Sequence, residues 1–293
     1  MEIIPLLLLV LVCAALVLGY PVALTLAGVS ILFSLLCIPA GIFDPDIFKS
    51  IPLRIFGIMN NVTLLAVPLF IFMGTILEKS GIAGRMLENM ALAFKNFRGG
   101  LSISIIVVGA LLAASTGIVG ATVVTMGLMS LPVLIQQGYK KDFSTGLVAA
   151  TGTLGQIIPP SIALVLLGDV MSNAYQRAQN NMGIFSQKTV TVGDLFIGAI
   201  VPGILICSSY LLYTIYQNSK NENIQFLHDL ASPPRTEILK TLALPLVLIV
   251  LVLGSIIGGI ATPTEAAAIG AMGAMIIALI NGKLSLNFLK ETS

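Results

Sequence analysis

Long apolar stretches alternate with short polar ones along the whole chain. Apolar runs cover 3–18, 21–41, 62–77, 101–136, 143–168, 195–215, 241–259 and 262–281, and nearly all charge falls between them. A helix needs roughly 20 residues to cross about 30 Å of hydrocarbon, so several runs predict one membrane-crossing helix each. The run 101–136 is long enough for two passes, or for a hairpin that enters and leaves on one side. Stretch 80–98 has another rhythm. Ile82, Met86, Met90, Ala93, Phe94 and Phe97 share one helical face, and Arg85, Glu88, Asn89, Lys95 and Asn96 share the other. This amphipathic pattern predicts an arm helix lying at the membrane surface; the plainer alternative is an ordinary connector.

Composition sharpens that picture. Hydrophobic residues make up 57% of the 293, and charged residues only 10%. A soluble domain carries roughly 25% charged residues, so this chain cannot cover a water-facing surface. It reads as an all-α polytopic membrane protein in a lipid bilayer. A soluble enzyme, a secreted disulfide scaffold and a disordered chain are excluded, and a net charge of +2 gives no reason to expect nucleic acid. Cys13, Cys37 and Cys207 sit in apolar runs without metal-ligand spacing, and His228 has no ligand partners. Glu2 and an uninterrupted apolar run argue against a cleaved signal peptide.

Basic residues assign the sides. Lys79, Arg85, Lys95 and Arg98 cluster in 78–98, Lys140 and Lys141 follow the long run, Lys220, Arg235 and Lys240 lie in 218–240, and Lys283 and Lys290 mark the end. These four segments are expected on the cytoplasmic side, and the charge-balanced segments 42–60 and 169–194 outside. The first two basic segments then share a side, so the intervening 101–136 must go in and come back as a hairpin.

Two places in the chain look alike. The run 3–18 leads through Gly19-Tyr20-Pro21 into a helix reaching Gly28, and the run 241–258 leads through Gly259-Ile260-Ala261-Thr262-Pro263 into a helix reaching Gly270. Proline and the later glycine have the same spacing in both. An odd number of crossings separates the copies, which gives them opposite orientation, the signature of secondary transporters. The expected organisation is a first inverted repeat over 1–235 and the start of a second over 236–293. On that reading the chain is either half of a split transporter or truncated.

In such proteins ions and substrates sit near the midplane, where helices break and free their carbonyls. Two stretches qualify. The first surrounds Ser115, Thr116, Gly117 and Thr122, where glycine permits a sharp turn and hydroxyls supply oxygen ligands; close helix packing by small residues is the competing reading. The second runs Thr151-Gly152-Thr153-Leu154-Gly155-Gln156-Ile157-Ile158-Pro159-Pro160-Ser161. Pro160 keeps Pro159 out of the helical region, so the expected helix 143–168 breaks there; a merely kinked structural helix is the alternative. Neutral oxygens without a carboxylate suit Na⁺, expected near Ser115, Thr116, Thr151 and Thr153. Glu265 lies deep in an apolar run, a position that signals function, but it follows Thr262-Pro263-Thr264 and reads rather as a helix cap. No catalytic constellation or ATP-binding motif is present, so neither an enzyme nor a cofactor is expected.

At these motifs the sequence resembles the large membrane subunit of TRAP (tripartite ATP-independent periplasmic) transporters. The resemblance rests on Gly74-Thr75-Ile76-Leu77-Glu78-Lys79-Ser80-Gly81-Ile82, Ser115-Thr116-Gly117 through Thr125, Gly152 through Ser161, and Gly259-Ile260-Ala261-Thr262-Pro263-Thr264-Glu265-Ala266. It implies a Na⁺-driven, elevator-type importer of small organic acids in the bacterial inner membrane. A periplasmic substrate-binding protein delivers the substrate and a small membrane subunit completes the permease. The hairpin and the amide-rich loop after Asp169 look closer to the branch associated with 2-oxo acids and lactate. Family members carry a second hairpin and a second broken helix after the Thr-Pro-Thr-Glu-Ala motif, and both lie beyond this chain. The amides Asn173, Gln176, Gln179, Asn180, Asn181 and Gln187 of loop 169–194 are candidate contacts for the binding protein, with a plain solvated connector as the equal alternative. The competing functions are a one-component secondary transporter without a binding protein and a transport-incompetent structural membrane fragment.

Overall fold

A computed structural model describes residues 3–117, 119–184, 186, 188–221 and 234–292. The fold is all-α, with no strand among the described residues. It divides into two units, Met1–Asn61 and Val62–Ser293. In the first, α1 (Ile3–Val17) and α2 (Val22–Cys37) pack together across a turn at Gly19. A 3-10 turn at Pro45–Ser50 follows, and its Asp44 cap accepts a 2.9 Å hydrogen bond from the Asp46 amide. It leads into α3 (Ile51–Met59).

The second unit holds α4 (Ala66–Lys79), α5 (Ile82–Ala93), α6 (Gly100–Thr116), α7 (Val119–Gln136), α8 (Lys141–Thr153), α9 (Ile162–Asn181), α10 (Val192–Lys220), α11 (Arg235–Ile257), α12 (Pro263–Ile280) and α13 (Leu286–Thr292). Val119–Gln136, Val192–Lys220, Ile238–Ile257 and Pro263–Ile280 are long and apolar enough to cross a membrane. The core lies where α4 meets α12. Phe70, Met73, Ile76 and Leu77 of α4 are buried, as are Ala266, Ala267, Gly270, Ala271 and Ala274 of α12. Without a hydrophobic force between helices in lipid, small residues bind helices by letting their backbones approach closely. A Cβ on Gly270 would sit 2.6 Å from Met73 Sδ. The helices α11 and α12 of the stretch 236–293 pack against α5 and α4.

The structure differs from the sequence reading in two elements. Segment 169–194 is helical as far as Asn181, because α9 continues one helix through the amide-rich stretch. The arm helix forms as α5, but Ile82, Met86, Leu87 and Met90 are buried within the protein, where α5 packs on α6 and α11. An amphipathic pattern states that one face is apolar and not whether lipid or protein covers it.

Hydrogen bonds gather the basic segments at one end of this unit. Arg85 donates to Asn281 Oδ1 at 2.6 Å and Asn89 to Thr241 Oγ1 at 3.0 Å. Arg98 donates to the Asn221 carbonyl at 2.8 Å, and Asn221 Nδ2 donates to the Gly138 carbonyl at 3.3 Å. Asn218 Nδ2 reaches Ser102 Oγ at 2.8 Å. Gly99 (φ +81°) lets this contact form, since a Cβ there would lie 1.9 Å from the Asn218 amide nitrogen. Tyr139 donates to Ser102 at 3.5 Å, and burial pushes its phenol above the ordinary range, so it stays a neutral donor. The turn between α11 and α12 lies at the opposite end, because Thr241 near the start of α11 and Asn281 just past the end of α12 are both bonded to α5 at this one.

Candidate functional site

Two chain breaks face each other inside the second unit. The first is the turn between α6 and α7. Ser115 is buried and donates to the Leu112 carbonyl at 2.8 Å, so its hydroxyl adds to the helix instead of disrupting it. Gly117 then takes φ +60° and closes α6, its amide bonding the Ala113 carbonyl at 3.2 Å. α7 starts at Val119, so the run 101–136 folds back as a hairpin. Both of its open ends, Gly99–Ser102 and Gly138, are tied to the C-terminus of α10 at the basic end.

The second break separates α8 from α9. α8 ends at Thr153, and a 3-10 turn covers Leu154–Gln156. Pro159 and Pro160 lack amide hydrogens and cannot carry a helical ladder on. Ser161 restarts the helix: its hydroxyl donates to the Gln156 carbonyl at 2.8 Å and accepts the Leu164 amide at 3.5 Å.

Gln156 joins the breaks, its Nε2 donating to the Gly117 carbonyl at 3.1 Å. A glycine makes the approach possible. A Cβ on Gly152 would lie 2.2 Å from Val123 of α7, so only glycine fits there, while Gly155 sits at ordinary contact distance from Ala113 of α6. α8 therefore sits between the hairpin arms. α7 and α9 both begin here, and their first amides carry the positive ends of two helix dipoles.

Not every sequence candidate reaches this point. Thr151 is buried lower down, with its methyl over Gly109 and its hydroxyl on the Leu147 carbonyl at 2.7 Å. Thr153 is exposed and donates to the Ala150 carbonyl at 2.7 Å. The side chain of Thr116 lies outside the described residues. Thr122 is buried on α7, beside a cavity of about 10 Å³ that Glu78, Leu112 and Thr125 also line.

That cavity brings forward a residue that the sequence analysis names only within a family motif. Glu78 of α4 accepts a short hydrogen bond from the Thr125 hydroxyl of α7. Read as one more charge of a polar segment, it lies in fact on the helical stripe of the buried residues Phe70 and Gly74, at i+8 and i+4. That spacing was the available signal.

Glu265 lies at the opposite end of the unit. Its carboxylate accepts from the Thr262 amide at 2.8 Å and hydroxyl at 2.9 Å, and the Thr262 hydroxyl accepts the Glu265 amide at 3.3 Å. This is a reciprocal capping box at the start of α12. A crevice of about 460 Å³ opens beside it, with Asp169, Asn173, Thr191 and Thr262 among its walls. Of the amides proposed for a protein partner, Gln179 is buried. It clamps the Lys188 backbone through bonds of 2.8 and 2.9 Å. Asn173 and Asn180 are exposed on α9, and Gln187 lies outside the described residues.

Comparison with known proteins places this architecture. The family model described as "Tripartite ATP-independent periplasmic transporter, DctM component" matches residues 9–292. The chain belongs to that family. This DctM-family chain is 34% identical over 273 residues to the C4-dicarboxylate TRAP transporter large permease protein DctM of Vibrio cholerae, a match covering 93% of this chain and 55% of that one. The protein of the same name from Rhodobacter capsulatus is 32% identical, over 91% of this chain and 60% of that one. The isethionate TRAP transporter permease protein DctMQ of Oleidesulfovibrio alaskensis is 31% identical, over 89% of this chain and 38% of that one. The DctM-family chain thus spans about half the length of the curated relatives it matches. The motif resemblance holds, as does the all-α, multi-pass membrane architecture, and the relatives are named as permeases rather than enzymes.

Proposed function

We propose that this chain forms the large permease component of a Na⁺-coupled, binding-protein-dependent importer of small organic acids in the bacterial inner membrane. Its partners on this reading are a small membrane subunit and a periplasmic substrate-binding protein. The observation that carries it is the Gln156–Gly117 contact, which brings the hairpin turn and the helix break into one site. Irregular backbone at membrane depth is tolerated only where protein buries it or it lines a cavity. Carbonyls and hydroxyls of Ser115, Gly117, Gln156 and Ser161 provide neutral oxygens that suit a dehydrated monovalent cation. A hydroxyl that donates to a carbonyl keeps its lone pairs for an ion. The α7 and α9 N-termini favour negative charge beside that ion, which suits a carboxylate. Relatives named for C4-dicarboxylate support the same substrate class.

The test is uptake against Na⁺ concentration at fixed pH, in proteoliposomes holding a transport-competent permease that contains this chain, together with its binding protein. Gln156→Leu removes the amide that joins the two breaks. A lost polar contact of about 1–3 kcal/mol predicts an apparent Na⁺ affinity weaker by roughly ten- to hundred-fold. Glu265→Gln should leave the Na⁺ curve in place. An unmoved curve for Gln156→Leu, with coupling abolished by Glu265→Gln, overturns the assignment in favour of a carboxylate-centred mechanism.

A further inference from the structure

A carbonyl in an α-helix bonds the amide four residues on, and one in a 3-10 helix the amide three residues on. For the Gln156 carbonyl those residues are Pro160 and Pro159, and neither has an amide hydrogen. The proline pair therefore removes both donors by which a helix could satisfy this oxygen. Gln156 is also the residue whose side chain joins the two breaks. Without a replacement donor, its backbone would be loose at the point where its amide has to be aimed.

Ser161 supplies that donor. Its hydroxyl reaches the Gln156 carbonyl at 2.8 Å, and no other donor bonds that carbonyl among the described residues. Ser161 is fully buried, so water has no ready path to take its place. An ordinary helix cap only accepts. As the cap of α9, Ser161 accepts the Leu164 amide at 3.5 Å, at the outer limit of a hydrogen bond, so the bond it donates is the shorter and stronger of its two.

Both ends of the break meet the hairpin turn. Gln156 Nε2 holds the Gly117 carbonyl at 3.1 Å. A Cβ on Gly117 would lie 3.4 Å from Ile162 Cγ1, so Ile162, the residue after Ser161, stands beside the same turn. The Ser161 hydroxyl thus fastens together the two ends of the break that touch Gly117.

We infer that Ser161 is a positioning residue: by holding the Gln156 carbonyl it aims the Gln156 amide at Gly117 and so sets the geometry of the proposed ion site, the reading on which this inference rests. The test is a double-variant cycle of Ser161→Ala and Gln156→Leu with two readouts. The first is the Na⁺ dependence of uptake at fixed pH, in the proteoliposomes described above. Ser161→Ala alone should weaken the apparent Na⁺ affinity by roughly tenfold. On the Gln156→Leu background no amide is left to aim, and the same change should have an effect smaller by about threefold or more. A loss of the same size on both backgrounds overturns the assignment and makes Ser161 an independent ligand or cap. So does an unmoved curve for Ser161→Ala where Gln156→Leu shifts it. The second readout is the unfolding midpoint in mixed SDS micelles. The double variant should lose less than the two single losses together, and additive losses overturn the inference. If neither variant moves the Na⁺ curve, the ion reading fails, and the micelle cycle alone decides whether Ser161 acts through Gln156. Should Ser161→Ala not fold, Ser161→Cys, similar in size but a weaker donor, takes its place in the cycle.

Discussion

A methyl group on Gly109 would lie 2.0 Å from Thr151 Cγ2, the tightest approach between the hairpin and α8. Gly109→Ala should therefore destabilise the chain by about 1–3 kcal/mol through overpacking, against a helix-propensity gain of up to about 1 kcal/mol. Thr151→Ser removes the offending methyl and keeps a hydroxyl for the Leu147 carbonyl, so it should recover at least half of that loss. Unfolding in mixed SDS micelles, followed by circular dichroism, measures both. Failure of Thr151→Ser to rescue Gly109→Ala would mean that the strain is relieved elsewhere. Single residues were legible in the sequence where local chemistry decides their role. Gly117 turns the chain because a left-handed residue is needed there, and Pro159-Pro160 ends a ladder by lacking donors. The place of Thr151 was not legible, since it depends on which residue of another helix stands opposite.

Among the elements, α4 and α7 are joined by the Glu78–Thr125 hydrogen bond. Thr125→Val keeps the shape but strands a half-buried carboxylate, and should cost about 1–3 kcal/mol in the same micelle assay. Thr125→Ser should be close to neutral; equal losses for the two would deny the hydroxyl any part. The α12 cap behaves differently. Glu265→Ala should lower the unfolding midpoint, while Glu265→Gln, which still accepts the Thr262 donors, should lower it less. The hairpin, the broken helix and the capping box could all be read from glycine, proline and Thr-x-x-Glu signals close together in the chain. The length of α9 could not. Asn173 to Asn181 read as a polar loop, but Gln, Arg and Ala propagate a helix that an apolar segment has already nucleated. Nor could the cover of α5, because lipid and protein demand the same apolar face.

At the scale of the molecule, the hydrogen bonds of Arg85, Asn89, Arg98 and Asn221 place the basic segments on one side. Single cysteines at Lys95, Lys141 and Lys220, on a background without Cys13, Cys37 and Cys207, should stay protected from an impermeant reagent in intact cells. A cysteine at the exposed Asn173 should react. Labelling at position 141 from outside would break the hairpin topology. Charge distribution alone supplied this sidedness, whereas the division at Asn61 followed from packing that no local pattern records. The fastening of the hairpin has a mechanical consequence. Anchored at its open ends to α10, packed along α8 by its arms and met by Gln156 of the following 3-10 turn at its far end, it can act as a lever pivoted on the basic side. Its α6 arm of 17 residues is about 25 Å long. A tilt of about 5° at the pivot swings the far end by about 2 Å, enough to open a hydrogen bond of 3.1 Å. A rotation at the C-terminus of α10 that carried α6 with it would therefore be felt about 25 Å away, at the Gln156–Gly117 contact.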